Sequence, residues 1–104
     1  MTCGKIARLL LSRRARKSLL DLKGTKHAKS LKKALEDIAH SPHKGSNVKN
    51  LLKVPGGCRK RIGRYRILYT VHSNENLVRI WIIDMEKDTK KDYARWIGYI
   101  LNQL

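Results

Sequence analysis

Cys58-Arg59-Lys60-Arg61-Ile62-Gly63-Arg64-Tyr65-Arg66-Ile67-Leu68-Tyr69-Thr70-Val71 is the stretch on which the reading of this chain turns. A Pro55-Gly56-Gly57 turn precedes it, and a basic run passes directly into an apolar one rich in β-branched and aromatic residues, the signature of paired strands. The polar segment Ser73-Asn74-Glu75-Asn76 then turns the chain into Leu77-Val78-Arg79-Ile80-Trp81-Ile82-Ile83. Strands are expected at about 58–63, 65–72 and 77–84, at hairpin spacing. Arginines therefore sit on and between strands that are otherwise apolar. A guanidinium taken out of water is costly unless it is paired or has a task, so the pattern points to a concave basic surface that holds phosphates.

Alternation along a strand assigns the faces. Tyr65, Ile67, Tyr69 and Val71 fall on one side and read as core. Arg66, Leu68, Thr70 and His72 fall on the other. In the preceding strand Arg59 and Arg61 share a face, with Cys58, Lys60 and Ile62 opposite. Arg59, Arg61 and Arg66 are expected to converge on the open face, where each offers a planar fork of donors to phosphate oxygens.

Upstream, the periodicity is helical. Ile6 to Leu11 is a short apolar run suited to a strand. Ser12 is a good N-cap for a helix carrying Ala15, Leu19 and Leu22, and Gly24 ends it. Thr25 caps a second helix in which Ala28, Leu31, Leu35 and Ile38 repeat at helical spacing. Glu36 and Asp37 lie late in it, against the dipole preference, so packing rather than charge sets its length. Ser41-Pro42 stops it. Residues His43 to Leu52 read as a polar connection, and Trp96, Ile97, Ile100 and Leu101 give a short C-terminal helix between Tyr93 and Leu101. The order is that of an α+β fold: two N-terminal helices on one face of a small, mainly antiparallel four-stranded sheet, the other face free for a ligand.

With 104 residues the chain is expected to form one domain, residues 1–104, with a single modest core. No apolar run is long enough to span a bilayer. The patch Leu9-Leu10-Leu11 is followed, not preceded, by Arg13, Arg14 and Arg16, unlike a secretory signal. Cys3 and Cys58 are far apart, with no Cys or His at ligand spacing, so neither a zinc site nor a disulfide framework is expected; reduced thiols in a cytoplasmic protein are. The formal net charge is +16, and residues 1–66 hold 19 of the 24 lysines and arginines but 3 of the 8 acids, which leaves the remainder neutral. Charge confined in this way is an electrostatic footprint for a polyanion, nucleic acid first and an acidic protein second. Lys26, Lys29, Lys32 and Lys33 are accounted for as solvated helix-face lysines. His40 and His43 flank a turn and read as exposed. Trp81 and Trp96 read as core or interface residues, and Gly56-Gly57 as the turn into the hairpin.

Asn50-Leu51-Leu52-Lys53, the basic strand, Gly63-Arg64-Tyr65-Arg66-Ile67-Leu68-Tyr69 and the late Tyr93 together resemble the RelE/ParE toxin superfamily of bacterial toxin–antitoxin pairs, from about Leu9 to Leu101. The pattern G-x-Y-R-[IL]-[LV]-Y stands here nearly intact. The resemblance implies one of two activities, ribosome-dependent mRNA cleavage in the A site (RelE-like) or poisoning of DNA gyrase (ParE-like); an inactive basic RNA-binding relative is a third reading. Position by position it favours the ribonucleases. Arg59, Arg61, Arg66 and Lys87 match their electrostatic group, and Tyr93 the aromatic that orients a base or assists proton transfer. Lys53, Lys60, Arg64 and His72 are expected to contact RNA, His72 being the one histidine placed to be tested as a base. The implied chemistry is attack of a 2′-OH on the adjacent phosphate, with neither metal nor cofactor. The resemblance further implies an antitoxin, acidic where it wraps the toxin, a toxin–antitoxin hetero-oligomer, and a ribosomal surface of 16S rRNA. Two positions depart from the pattern. Arginine stands at 59 and 61 where lysine is common, and lysine at 87 where arginine is usual. Arginine does not give up its proton, so the general base is left unassigned.

Overall fold

The computed structural model of the chain describes residues 6–43, 47–51, 54–85 and 93–103. Ser12 organises its first part. The Ser12 hydroxyl accepts from the amide of Ala15 at 3.0 Å, which caps helix α1 (Arg13–Asp21), and donates to the carbonyl of Trp81 at 2.6 Å. Its own amide donates to the carbonyl of Ile80 at 2.8 Å. One residue thus ends strand β1 (Arg8–Leu11), starts α1, and ties both to strand β5 (Leu77–Met85). The α1 helix closes through Gly24, whose φ of +86° suits a residue without a Cβ. Helix α2 (Lys26–His40) follows, with Leu31, Ala34, Leu35, Ile38 and Ala39 buried along one face. Thr25 does stand at its N-cap, but its hydroxyl donates back to the carbonyl of Leu22 at 2.6 Å and makes no side-chain cap bond.

Among the described residues the sheet has five strands, in the order β1-β5-β4-β3-β2. β1 pairs parallel with β5, and the remaining pairs are antiparallel. The strand beyond the expected four is β2 (Val48–Asn50), inside what read as a polar connection. Its sequence, Val-Lys-Asn, has no alternation to betray it. As an edge strand it is held by backbone pairing with β3 (Gly57–Ile62), and only Val48 packs against the core. β3 ends at Ile62, one residue earlier than expected. Gly63 has a φ of +55° and forms with Arg64 a two-residue turn into β4 (Tyr65–His72). A positive φ at the first central residue only is the signature of a II′ hairpin turn, where glycine is favoured.

Two cores lie on opposite faces of the sheet. Ile67, Tyr69, Val78, Ile80 and Ile83 face α1 and α2 and pack with Ala15, Leu31, Ala34, Leu35 and Ile38. On the other face Leu68, Trp81 and Ile82 pack with Leu51, Val54, and with Ile97 and Ile100 of the C-terminal helix α3 (Tyr93–Gln103). The second face is therefore not wholly open, as expected, but covered at its centre. Leu68 and Ile82, both fully buried, demand that cover, since each gains about 1.5–3 kcal/mol from leaving water. A bulge sets which residues meet there. Leu68 pairs with Ile82 but Tyr69 with Ile80, so Trp81 is an extra residue on β5.

Candidate nucleic-acid interface

The β3–β4 hairpin brings the arginines together. Arg61 and Arg66 are direct cross-strand partners one residue from the Gly63-Arg64 turn, and Arg59 pairs with Leu68 further along the same face. Directly opposed side chains have Cβ atoms about 4.5–5.5 Å apart, which is close enough for the two guanidiniums to contact one phosphate. Across β4 the register partner of Arg66 is Asp84. The row Arg61, Arg66, Asp84 crosses three strands on the second face, at the end of the sheet that the hairpin turn closes.

Exposure differs sharply within this group. Arg61 is exposed and Arg59 half-buried, whereas Arg66 is 5% exposed. Like charges held opposite one another repel, and a nearly buried guanidinium lacks most of its hydration. Among the described residues, three guanidiniums and one carboxylate share this patch, which makes it a basic one. That arrangement suits a phosphodiester, and suits still better a species with one further negative charge. Asp84 went unnoticed in the sequence, because its face depends on the bulge at Trp81. The Asp84 Oδ1 accepts from the amide of Met85 at 3.1 Å, which holds the carboxylate against its own backbone.

The remaining expected residues fall in different places. Arg64 is exposed at the hairpin turn. Lys60 does not join the arginines: it pairs with Ile67 on the helix-covered face and is 2% exposed. Alternation already placed it opposite Arg59 and Arg61, and burial removes it from any solvent-facing surface. His72 shares the face of Arg66 but lies six residues along the strand, roughly 20 Å away at about 3.3 Å per residue. Its Nε2 is 2.9 Å from Thr70 Oγ1, which accepts from the Trp81 indole N–H at 2.9 Å. This fixes His72 at the far end of the sheet, where it cannot reach the proton of a nucleophile held by Arg61 and Arg66. Tyr93 is the first residue of α3. Lys53, Lys87 and Cys3 lie outside the described residues, as do the side chains of Tyr93 and Trp96.

Cys58 and Tyr69 form a separate buried cluster on the helix side. The thiol donates to Asn50 Oδ1 at 3.5 Å and lies 3.8 Å from His43 Nδ1, while the Tyr69 hydroxyl donates to the carbonyl of Pro42 at 2.5 Å. Burial pushes the Cys58 thiol above its ordinary value of 9.0, although the hydrogen bond from Tyr69 lowers it in part. Burial and the neighbouring thiol push Tyr69 up as well. A thiol that stays protonated is no nucleophile, so this cluster is structural. His40 and His43 are both exposed, as expected. No helix among the described residues is long and apolar enough to cross a membrane.

The family model for the ParE toxin of type II toxin–antitoxin systems (parDE) matches residues 9–89, most of the chain. The chain belongs to the ParE toxin family. The fold of this toxin is also that of solved RelE structures. An arginine-to-alanine double mutant of the E. coli toxin RelE in the free state superposes with a TM-score of 0.73 at 22% identity, over 92% of this chain and 99% of that one. RelE of the intact E. coli RelBE toxin–antitoxin complex gives 0.66 at 25% identity, over 76% and 95%. The archaeal RelE–RelB complex from Pyrococcus horikoshii gives 0.67 at 19% identity, over 78% and 96%. No protein with a curated description matches the sequence.

Proposed function

We propose that this toxin is a ribosome-dependent endoribonuclease that cuts mRNA in the A site. The observation that carries the reading is the juxtaposition of Arg61 and Arg66 across the hairpin, with Arg59 beside them on the same face. In the proposed reaction the 2′-OH of one nucleotide attacks the adjacent phosphorus and the bond to the 5′ oxygen of the next breaks. The products are a 2′,3′-cyclic phosphate and a 5′-OH. The phosphodiester gains one negative charge on the way to the phosphorane-like transition state, and the fixed guanidiniums stabilise that added charge more than the ground state. The ribosome and the arginines hold the attacking oxygen in line with the leaving one. Lys87 is assigned to the electrostatic group and Tyr93 to orienting the base or assisting proton transfer.

The reading includes its partners. Residues 1–66 carry the whole net charge of +16, which complements both the 16S rRNA surface around an A-site mRNA and an acidic antitoxin that wraps the toxin in a hetero-oligomer. Such charges raise association rates more than final affinity and make ribosome binding strongly salt-sensitive. A cytoplasmic location follows from the same reading.

A second reading has its own support. The matching family model is that of ParE, and a gyrase-directed toxin needs a basic binding surface without turnover. Purified toxin added to a translating extract, with mRNA ends mapped by primer extension, separates the two. Codon-phased cuts that depend on ribosomes are expected. Intact mRNA, together with inhibition of gyrase supercoiling, would overturn the ribonuclease reading in favour of the second.

A further inference from the structure

A concave cleft of about 320 Å³ lies on the other side of the hairpin tip from the arginine row, between α2 and the Gly63-Arg64 turn. That volume is near the lower end for small-molecule sites, roughly 300–1,000 Å³. Its walls are of two kinds. Lys26 and Arg64, both exposed, stand at its rim from opposite elements, with the Ser30 hydroxyl beside them. His27 and Tyr65, both half-buried, line its interior, with ring centroids 5.2 Å apart and planes tilted by 57°. Leu31 and Ile62 supply an apolar floor. Among the described residues no acid lines it, and the first turn of α2 carries none.

Cations at the rim and two rings over an apolar floor match one kind of ligand closely. A phosphate meets the Lys26 ammonium and the Arg64 fork, and a planar base lies against the His27 and Tyr65 rings, as bases stack on aromatic side chains in single-strand binding. An acidic peptide would use the cations and leave the rings without a partner. We propose that this cleft is a nucleotide subsite for single-stranded RNA, set beside the arginine row so that one strand passes over the hairpin tip and is held on both sides of it. Arg64 is the link, since it sits in the turn one residue beyond the Arg61–Arg66 pair. The identity of the strand rests on the ribonuclease reading; the ligand chemistry of the cleft does not.

The test titrates AMP into the uniformly ¹⁵N-labelled full chain and follows the amide spectrum, for wild type, Lys26→Ala/Arg64→Ala and Arg61→Ala. The first variant removes two exposed side chains, so unchanged spectra elsewhere report an intact fold. AMP is expected to shift residues 26–31 and 62–65 in wild type and in Arg61→Ala, with at least a tenfold weaker dissociation constant in the double variant. Shifts confined to the arginine row, or equal affinity in the double variant, would overturn the proposal. So would a polyglutamate peptide that shifts these residues when AMP does not, since the cleft would then be a protein-docking surface. The two readings fail separately. AMP binding in the cleft with intact mRNA in a translating extract sinks the ribonuclease reading and upholds the subsite; codon-phased cleavage without AMP binding does the reverse.

Discussion

Replacing Arg61 with alanine tests the proposed chemistry most cleanly, because the structure separates its catalytic effect from its structural one. Arg66 is 5% exposed, so deleting it leaves a hole among packed neighbours and confounds activity with folding. Arg61 is exposed, and truncating it removes charge with little packing. The proposed transition state carries one more unit of charge than the ground state. A guanidinium in contact at about 4 Å would stabilise that unit by up to about 4 kcal/mol at an effective dielectric constant near 20. Solvent at an exposed site reduces this, and donors of this type typically supply about 2.7–4 kcal/mol, or 10²- to 10³-fold in rate. A single-turnover cleavage rate on programmed ribosomes about 10²-fold below wild type is therefore expected. Ribosome affinity should change far less, because one of 24 cations is lost, and the slope of log affinity against log salt should fall by about one unit. Arg61→Lys should recover part of the rate, since it restores a point charge without the planar fork. A cleavage rate within threefold of wild type in Arg61→Ala would refute the assignment of Arg61 to the reacting phosphate.

Three further outcomes follow from the packing and titration of the chain. Leu68→Ala opens a cavity in the second core, where Leu68 is fully buried against Ile82, and should lower stability by about 2–5 kcal/mol, read as a shifted urea midpoint at constant m. Gly56→Ala should cost more than Gly63→Ala: both positions have positive φ, but a Cβ at 56 would lie 2.7 Å from the carbonyl oxygen of Val71, whereas one at 63 meets nothing within 4 Å. Equal midpoints for the two would show that backbone strain alone matters. Alkaline pH should destabilise the fold. Cys58 is pushed above 9.0 and Tyr69 above 10.0 in the folded state, so above those values the unfolded chain binds fewer protons than the folded one and stability falls as pH rises. Urea midpoints between pH 7 and 10.5 should be flat at first and decline from about pH 9, with a shallower decline in Cys58→Ala; an identical decline in that variant would sink the account.

Much of this architecture was legible because it depends on neighbours in sequence. Ser12 was readable as a cap from its position before Ala15 and Leu19. The faces of β4 follow from simple alternation, and so does the meeting of Arg61 with Arg66 across a short hairpin. Family membership was legible from the Gly63-Arg64-Tyr65-Arg66 segment, in which the glycine supplies the turn and the tyrosine and arginine take opposite faces. Less legible were features that one segment acquires only from another. β2 has no alternation of its own and exists because β3 offers it a pairing edge. His72 shares a face with Arg66, yet the length of a strand separates them, so a common face did not make a common site.

The bulge at Trp81 shows where local pattern stops. Strict alternation from Val78 and Ile80 would put Ile82 and Asp84 on the helix-covered face, with Asp84 opposite Tyr65. The extra residue shifts the register, so that Ile83 enters the helix core, Ile82 turns to the second face, and Asp84 comes to stand opposite Arg66. Residue types along the chain were enough to specify helices, strands and the basic hairpin, because period and turn chemistry are local. Which carboxylate came to stand opposite Arg66, and which side chains entered each core, depended on how two cores packed on opposite faces of one sheet. A one-residue slip reverses every side chain beyond it, and only the packing of both faces selects the register.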